Sequence, residues 1–178
     1  MRKRKQAMVL VSLIAFMIVL IVAYLAMIRV AKSKEAEAIT DDSIELFTLN
    51  TDTAKKLTVK NENGTFVFVK SDDVWTLESD QSITLNETVV STMLSTLKTI
   101  NASRSVRENV EDLSEYGVDK PKITISVELE DGVRAKIELG NEVPIQGGYY
   151  GMVDGENHVY VMNESYYTNF CFEQSELK

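Results

Sequence analysis

The sequence predicts an α+β protein: an N-terminal transmembrane helix, then one antiparallel-sheet domain with an amphipathic helix packed between two groups of strands. Three observations carry that expectation. Ala7–Ile28 runs for twenty-two residues without a charge. At about 1.5 Å per residue, a helix of that length reaches roughly 33 Å, enough for a hydrocarbon layer about 30 Å thick. Much of the remainder consists of short apolar runs of period two set off by Asn, Asp and Gly, the pattern of strands joined by tight turns. A single stretch, Val89 to Ile100, repeats its apolar residues at helical spacing instead.

The anchor divides the chain into residues 1–6, a cytoplasmic tail; 7–28, the span; 29–42, a stalk; and 43–178, one extracytoplasmic domain of a single-pass protein of the cell membrane. Arg2, Lys3, Arg4 and Lys5 precede the span, and Arg29, Lys32 and Lys34 follow it. With the terminal amine the front is the more positive side and is placed inside. Ala36-Glu37-Ala38 has the small-x-small form of a signal-peptide cleavage site. The apolar run is longer than the roughly 7–15 residues of such a peptide, and basic residues intervene, so an uncleaved anchor is expected. Ala, Lys and Glu then favour a helical stalk as far as Thr40-Asp41-Asp42.

In the outer domain, Ile44–Leu49 and Lys56–Lys60 are expected strands, separated by Asn50-Thr51-Asp52-Thr53. Asn63-Gly64 is expected to form a two-residue type I′ hairpin turn, because both residues tolerate positive φ. Thr65–Lys70 follows, apolar on both faces, and Ser71-Asp72-Asp73 turns the chain into Val74–Leu77, so that four strands make a meander. Thr84 and Glu87 fit a capping box for a helix whose Val89, Val90, Met93, Leu94, Leu97 and Ile100 form one stripe facing the sheet. Glu108–Tyr116 reads as a short second helix, capped by Gly117 and stopped before Pro121.

Ile123, Ile125, Val127 and Leu129 alternate with polar residues, as do Val133, Ala135, Ile137 and Leu139. A two-residue loop at Asp131-Gly132 would set Leu129 opposite Arg134 and mix the faces. A three-residue loop, Glu130-Asp131-Gly132, pairs Leu129 with Val133 and Glu128 with Arg134, and requires Gly132 in the left-handed region. Asn141–Gly148 is expected to be a loop. Tyr149–Val153 and His158–Met162 then form a hairpin around Asp154-Gly155-Glu156-Asn157. Asn163 caps a last helix bearing Tyr166, Tyr167 and Phe170. Its apolar tail either docks on the domain or belongs to a longer protein.

Charge narrows the partners. Residues 1–34 hold seven Lys or Arg and no acid, so residues 35–178 carry 12 basic against 27 acidic residues, a balance of −15. Such a body repels nucleic acid and anionic headgroups and leaves basic partners or cations open. Cys171 is the only cysteine, which excludes an internal disulfide and a cysteine-built metal cluster.

No catalytic constellation is evident, and no catalytic, cofactor or metal residue is assigned. His158, the only histidine, begins an alternating strand beside a turn and reads as a rim side chain; Cys171, between Phe170 and Phe172, reads as a small apolar residue. Asp154–Asn157 lacks the spacing and closing glutamate of a calcium loop. Gly147-Gly148 lacks the flanking strand and helix of a phosphate loop. The Asn-x-Ser/Thr sequons at Asn63, Asn86, Asn101 and Asn163 include a turn and a cap where the same residues are wanted anyway.

Val74-Trp75-Thr76-Leu77, the amphipathic helix, Arg104 and Leu113-Ser114-Glu115-Tyr116-Gly117-Val118-Asp119-Lys120-Pro121 follow one another in an order that resembles the bacterial domain of unknown function 4340. Asp131-Gly132, Leu139-Gly140, Pro144, Gly148-Tyr149-Tyr150 and Val159-Tyr160-Val161 continue the likeness, which spans roughly residues 44–170. The motif positions are Trp75, Tyr116, Gly117, Asp119, Pro121, Gly132, Gly140, Tyr149, Tyr150 and Tyr160, all with structural roles. The resemblance implies a membrane-anchored protein found with ABC transporters of the gliding-motility auxiliary type, an accessory role and no reaction. The expected function is therefore an anchored, extracytoplasmic protein-interaction module, not an enzyme, serving an ABC transporter or another envelope complex. The alternative is a cell-wall or small-ligand binder or hydrolase with a cleft at Tyr149, Tyr150 and Tyr160.

Overall fold

A computed structural model describes residues 43–144 and 147–178. The tail, span and stalk expected at 1–42 lie outside the described residues. The described residues belong to one compact unit, Ser43–Lys178. Among the described residues, no helix is long and apolar enough to cross a membrane.

Among the described residues, nine strands form one antiparallel sheet. They are β1 Ile44–Thr48, β2 Ala54–Asn61, β3 Gly64–Ser71, β4 Val74–Leu77, β5 Thr99–Glu108, β6 Ile123–Leu129, β7 Arg134–Glu142, β8 Tyr149–Val153 and β9 His158–Met162. Their order is β1-β5-β9-β8-β7-β6-β2-β3-β4. The two expected groups of strands are thus one sheet, joined where β2 pairs β6 with Leu57 opposite Val127. The meander is also smaller than expected: β2, β3 and β4 are consecutive, while β1 lies on the far edge beside β5.

Helix α1, Glu87–Lys98, buries Val90, Met93 and Leu97 against one face. Its N-cap is Asn86 rather than Thr84, because the Asn86 side chain accepts the Thr88 N–H. It also ends sooner than its stripe suggests, since Ile100 already belongs to β5. β5 has no counterpart in the sequence reading: beyond Ile100 and Ala102 only the partly buried Val106 is apolar, so the alternation that marks a strand is broken. Pairing with β1 and β9 holds it in place. The second helix expected at Glu108–Tyr116 is a single 3-10 turn, Leu113–Tyr116, and Asn141 and Glu142 extend β7 instead of opening a loop.

The turns separate good readings from poor ones. At β6–β7, Glu128 faces Arg134, Val127 faces Ala135, the Gly132 N–H donates to the Leu129 carbonyl, and Gly132 has φ +88, all as the alternation requires. Between β2 and β3, by contrast, Asn61 pairs with Gly64, so the loop is Glu62-Asn63, and neither residue takes a positive φ. The Asn61 side chain displaces the expected turn by accepting the Asn63 N–H at 2.9 Å. The type I′ geometry appears at Asp72-Asp73, with φ +49 and +63, and again at Asp154-Gly155. Aspartate tolerates that region less well than glycine. Asp73→Gly is accordingly expected to raise stability by about 0.5–1 kcal/mol, measured as a higher denaturant midpoint at unchanged slope; a lower midpoint would contradict the turn assignment.

After β9, Asn163 accepts the Ser165 N–H and starts α2, Ser165–Thr168. The tail then docks on the domain: Phe170 is fully buried, the Phe172 ring lies 5.0 Å from Phe66, and the Leu177 carbonyl accepts the Asn86 N–H. Burying Phe170 alone contributes roughly 1.5–3 kcal/mol.

Candidate functional site

Strand alternation decides which of the motif residues meet. Gly117 caps the Leu113–Tyr116 turn at φ +71, and Asp112 accepts the Ser114 N–H and hydroxyl, which lowers its pKa. The segment runs on as a strap over β7–β9, burying Tyr116 and Val118 with Met152 and Val159 in a cluster separate from the α1 side. Tyr116 meets Tyr150 edge-on at 5.1 Å. Gly140 lies directly beneath, where any side chain would strike the Tyr116 carbonyl oxygen. Asp119 is exposed, and Pro121 is half-buried at the end of the strap.

Tyr149 and Tyr160 do not join this group. Successive residues of a strand point to opposite faces, so Tyr149 turns to the α1 side and stacks on Tyr167 at 4.3 Å, while Tyr150 turns to the strap. Tyr160 stacks on His158 at 4.1 Å. The three tyrosines expected to line a cleft are thus divided between two faces.

Chemistry that the sequence did not place together occurs at Ser105 and His158, where Oγ and Nε2 are 2.7 Å apart. The pairing crosses from β9 to the unforeseen β5, which is why spacing along the chain could not reveal it. A hydroxyl and an imidazole at this distance are the first two parts of a nucleophilic triad. Among the described residues, this is the ring's only hydrogen bond, so no third group orients it.

Cys171 sits in a shallow cavity of about 320 Å³ with Lys60, Glu62, Pro121 and Tyr167. Its thiol donates to a Glu62 carboxylate oxygen at 3.4 Å. Burial pushes the thiol pKa up, and the hydrogen bond with Cys171, followed by burial, pushes Tyr167 to about 12. The thiolate is the reacting species. Iodoacetamide at pH 8 is therefore expected to label folded protein several-fold more slowly than urea-unfolded chain; equal rates would show that the thiol is not held this way. Among the described residues, no group of three or more His, Cys, Asp or Glu side chains is placed to hold a metal ion.

A concavity of about 500 Å³ lies between edge strand β4 and α1. Its walls are Val74, Trp75, Ile83, Val90 and Leu94, and its only charged lining residues are Asp73 and Glu87. Val74 is 60% exposed, the most open of the large apolar side chains among the described residues. Trp75 and Leu94 are half-buried against the core. Helical period alone assigns the whole stripe to the core; Leu94 falls at its margin because β3 and β4 end the sheet there. The strand order creates the groove, and that order is not visible in local sequence.

A family model described as "Domain of unknown function (DUF4340)" matches residues 75–176. The match begins at Trp75 and takes in α1, the strap, β5 to β9 and the docked tail. No curated protein and no solved structure matches the chain.

Proposed function

The chain belongs to the DUF4340 family, and from that premise we propose that it is a membrane-anchored, extracytoplasmic module that binds other proteins, accessory to an ABC transporter or a similar envelope complex. The observation that carries this reading is the open apolar groove beside a sheet edge. Exposed apolar surface of this kind marks contact sites, and the supporting features are the uncharged Ala7–Ile28 and the acidic body.

Crosslinking in intact membranes, followed by identification of the joined proteins, tests it. One or a few envelope proteins should be recovered reproducibly, and recovery of this protein alone would overturn the reading. Protease added to sealed cells should remove residues 43–178; their survival beside a digested surface marker would reverse the topology. The reading assigns no reaction to Ser105 and His158, so Ser105→Ala should leave partner recovery unchanged.

A further inference from the structure

Resting on the binding reading above, we propose that the groove between β4 and α1 takes an extended segment of a partner protein that carries both apolar and basic side chains. Among the described residues, β4 is the last strand of the sheet, bonded on one side to β3. The two-residue loop Asp72-Asp73 makes Ser71 and Val74 a hydrogen-bonded pair, so the ladder alternates and the N–H and C=O of Trp75 point outward. Beyond Leu77 the chain folds back to bridge Asp80, which leaves the edge open at Val74 to Thr76. An added strand would bond to Trp75 and drop every second side chain toward Ile83 and Leu94.

Charge selects the class of occupant. The groove holds Asp73 and Glu87 and no cation, and its surroundings add Asp72, Glu78 and Asp80. Lys70 and Lys56 pair with Asp73 at 3.0 Å and Glu78 at 3.3 Å, and Lys178 faces Asp80, so among the described residues the carboxylates left without a lysine partner are Glu87 in the groove and Asp72 beside it. A second copy of the domain is a poor fit, because residues 43–178 carry 12 basic against 23 acidic residues, a balance of −11.

Trp75 is the only tryptophan, so its fluorescence reports occupancy of this groove directly. The full chain in non-ionic detergent is titrated with two synthetic peptides, one alternating valine and lysine and one alternating valine and glutamate. The lysine peptide should give a saturable change below about 1 mM and bind at least about tenfold tighter than the glutamate peptide. No saturation, or equal binding of the two, overturns the proposal. Asp73→Asn combined with Glu87→Lys, its fold checked by circular dichroism, should bring the two peptides to within about twofold; an unchanged preference also overturns it. A photo-crosslinker at Val74, compared with one at the exposed Val133, separates this proposal from the reading it rests on. Capture from Val133 alone leaves a binding module with a different surface; capture from neither sinks both.

Discussion

Alanine in place of Gly140 is expected to lower the stability of the domain by roughly 3 kcal/mol, the upper end of what forced overpacking produces. The strap crosses β7 at this residue. A Cβ there would meet the Tyr116 carbonyl oxygen, and would lie 2.7 Å from the Gly117 carbonyl carbon and 2.9 Å from Val118 Cγ1. Two of these are backbone atoms and cannot rotate aside. The strap would have to lift, and Tyr116 and Val118 would lose their packing on Met152 and Val159. Gly132→Ala makes the control, because its Cβ meets nothing within 4 Å and only the φ of +88 opposes it, a loss of about 1 kcal/mol. Denaturant unfolding of both variants distinguishes a steric from a conformational demand. A Gly140 variant no worse than the Gly132 variant would mean that the strap does not cross β7 there.

Replacing Asn61 by leucine should have a comparable effect, about 3 kcal/mol, for a different reason. Asn61 is buried at the end of β2, and all of its hydrogen-bonding atoms are used: Oδ1 accepts the Asn63 N–H, and Nδ2 donates to the carbonyls of Phe170 and Phe172 at 2.9 and 3.0 Å. Leucine has nearly the same volume but takes a partner from three backbone groups, and any of them left dry costs about 1–3 kcal/mol. Asn63 also donates to the Phe172 carbonyl, at 3.2 Å, so that acceptor keeps one partner. Amide exchange should therefore accelerate first in residues 165–177 and only later in the sheet. Uniform acceleration would indicate global loss of stability without a specific tie to the tail.

The same residue shows why some of the fold is legible in the sequence and some is not. The β6–β7 turn can be deduced because each side chain's face is set by counting along two adjacent strands, and a one-residue error exposes the whole apolar set. Both ends of the β8–β9 hairpin are readable for the same reason. The β2–β3 loop escapes such counting because its geometry answers to carbonyls 109 and 111 residues away, against which the local preference of Asn-Gly is weak. β5 is invisible because its strand character comes from its neighbours and not from its own residues. At the candidate groove, Trp75 stands out by its motif and Leu94 by its helical period, but only the strand order brings them to one wall.

The tie between Asn61 and the Phe170–Phe172 segment also bears on how the domain is made. Closing a loop of that length early in folding is unfavourable, and topologies rich in such distant pairings assemble slowly. The hairpin that bears Asn61 is synthesised long before its acceptors, and the first turn of α1 waits for the Leu177 carbonyl as well. A nascent chain halted before residue 170 would thus lack the segment that ties down Asn61, leaving the β2–β3 hairpin open to proteases and chaperones until Phe170 and Phe172 are made.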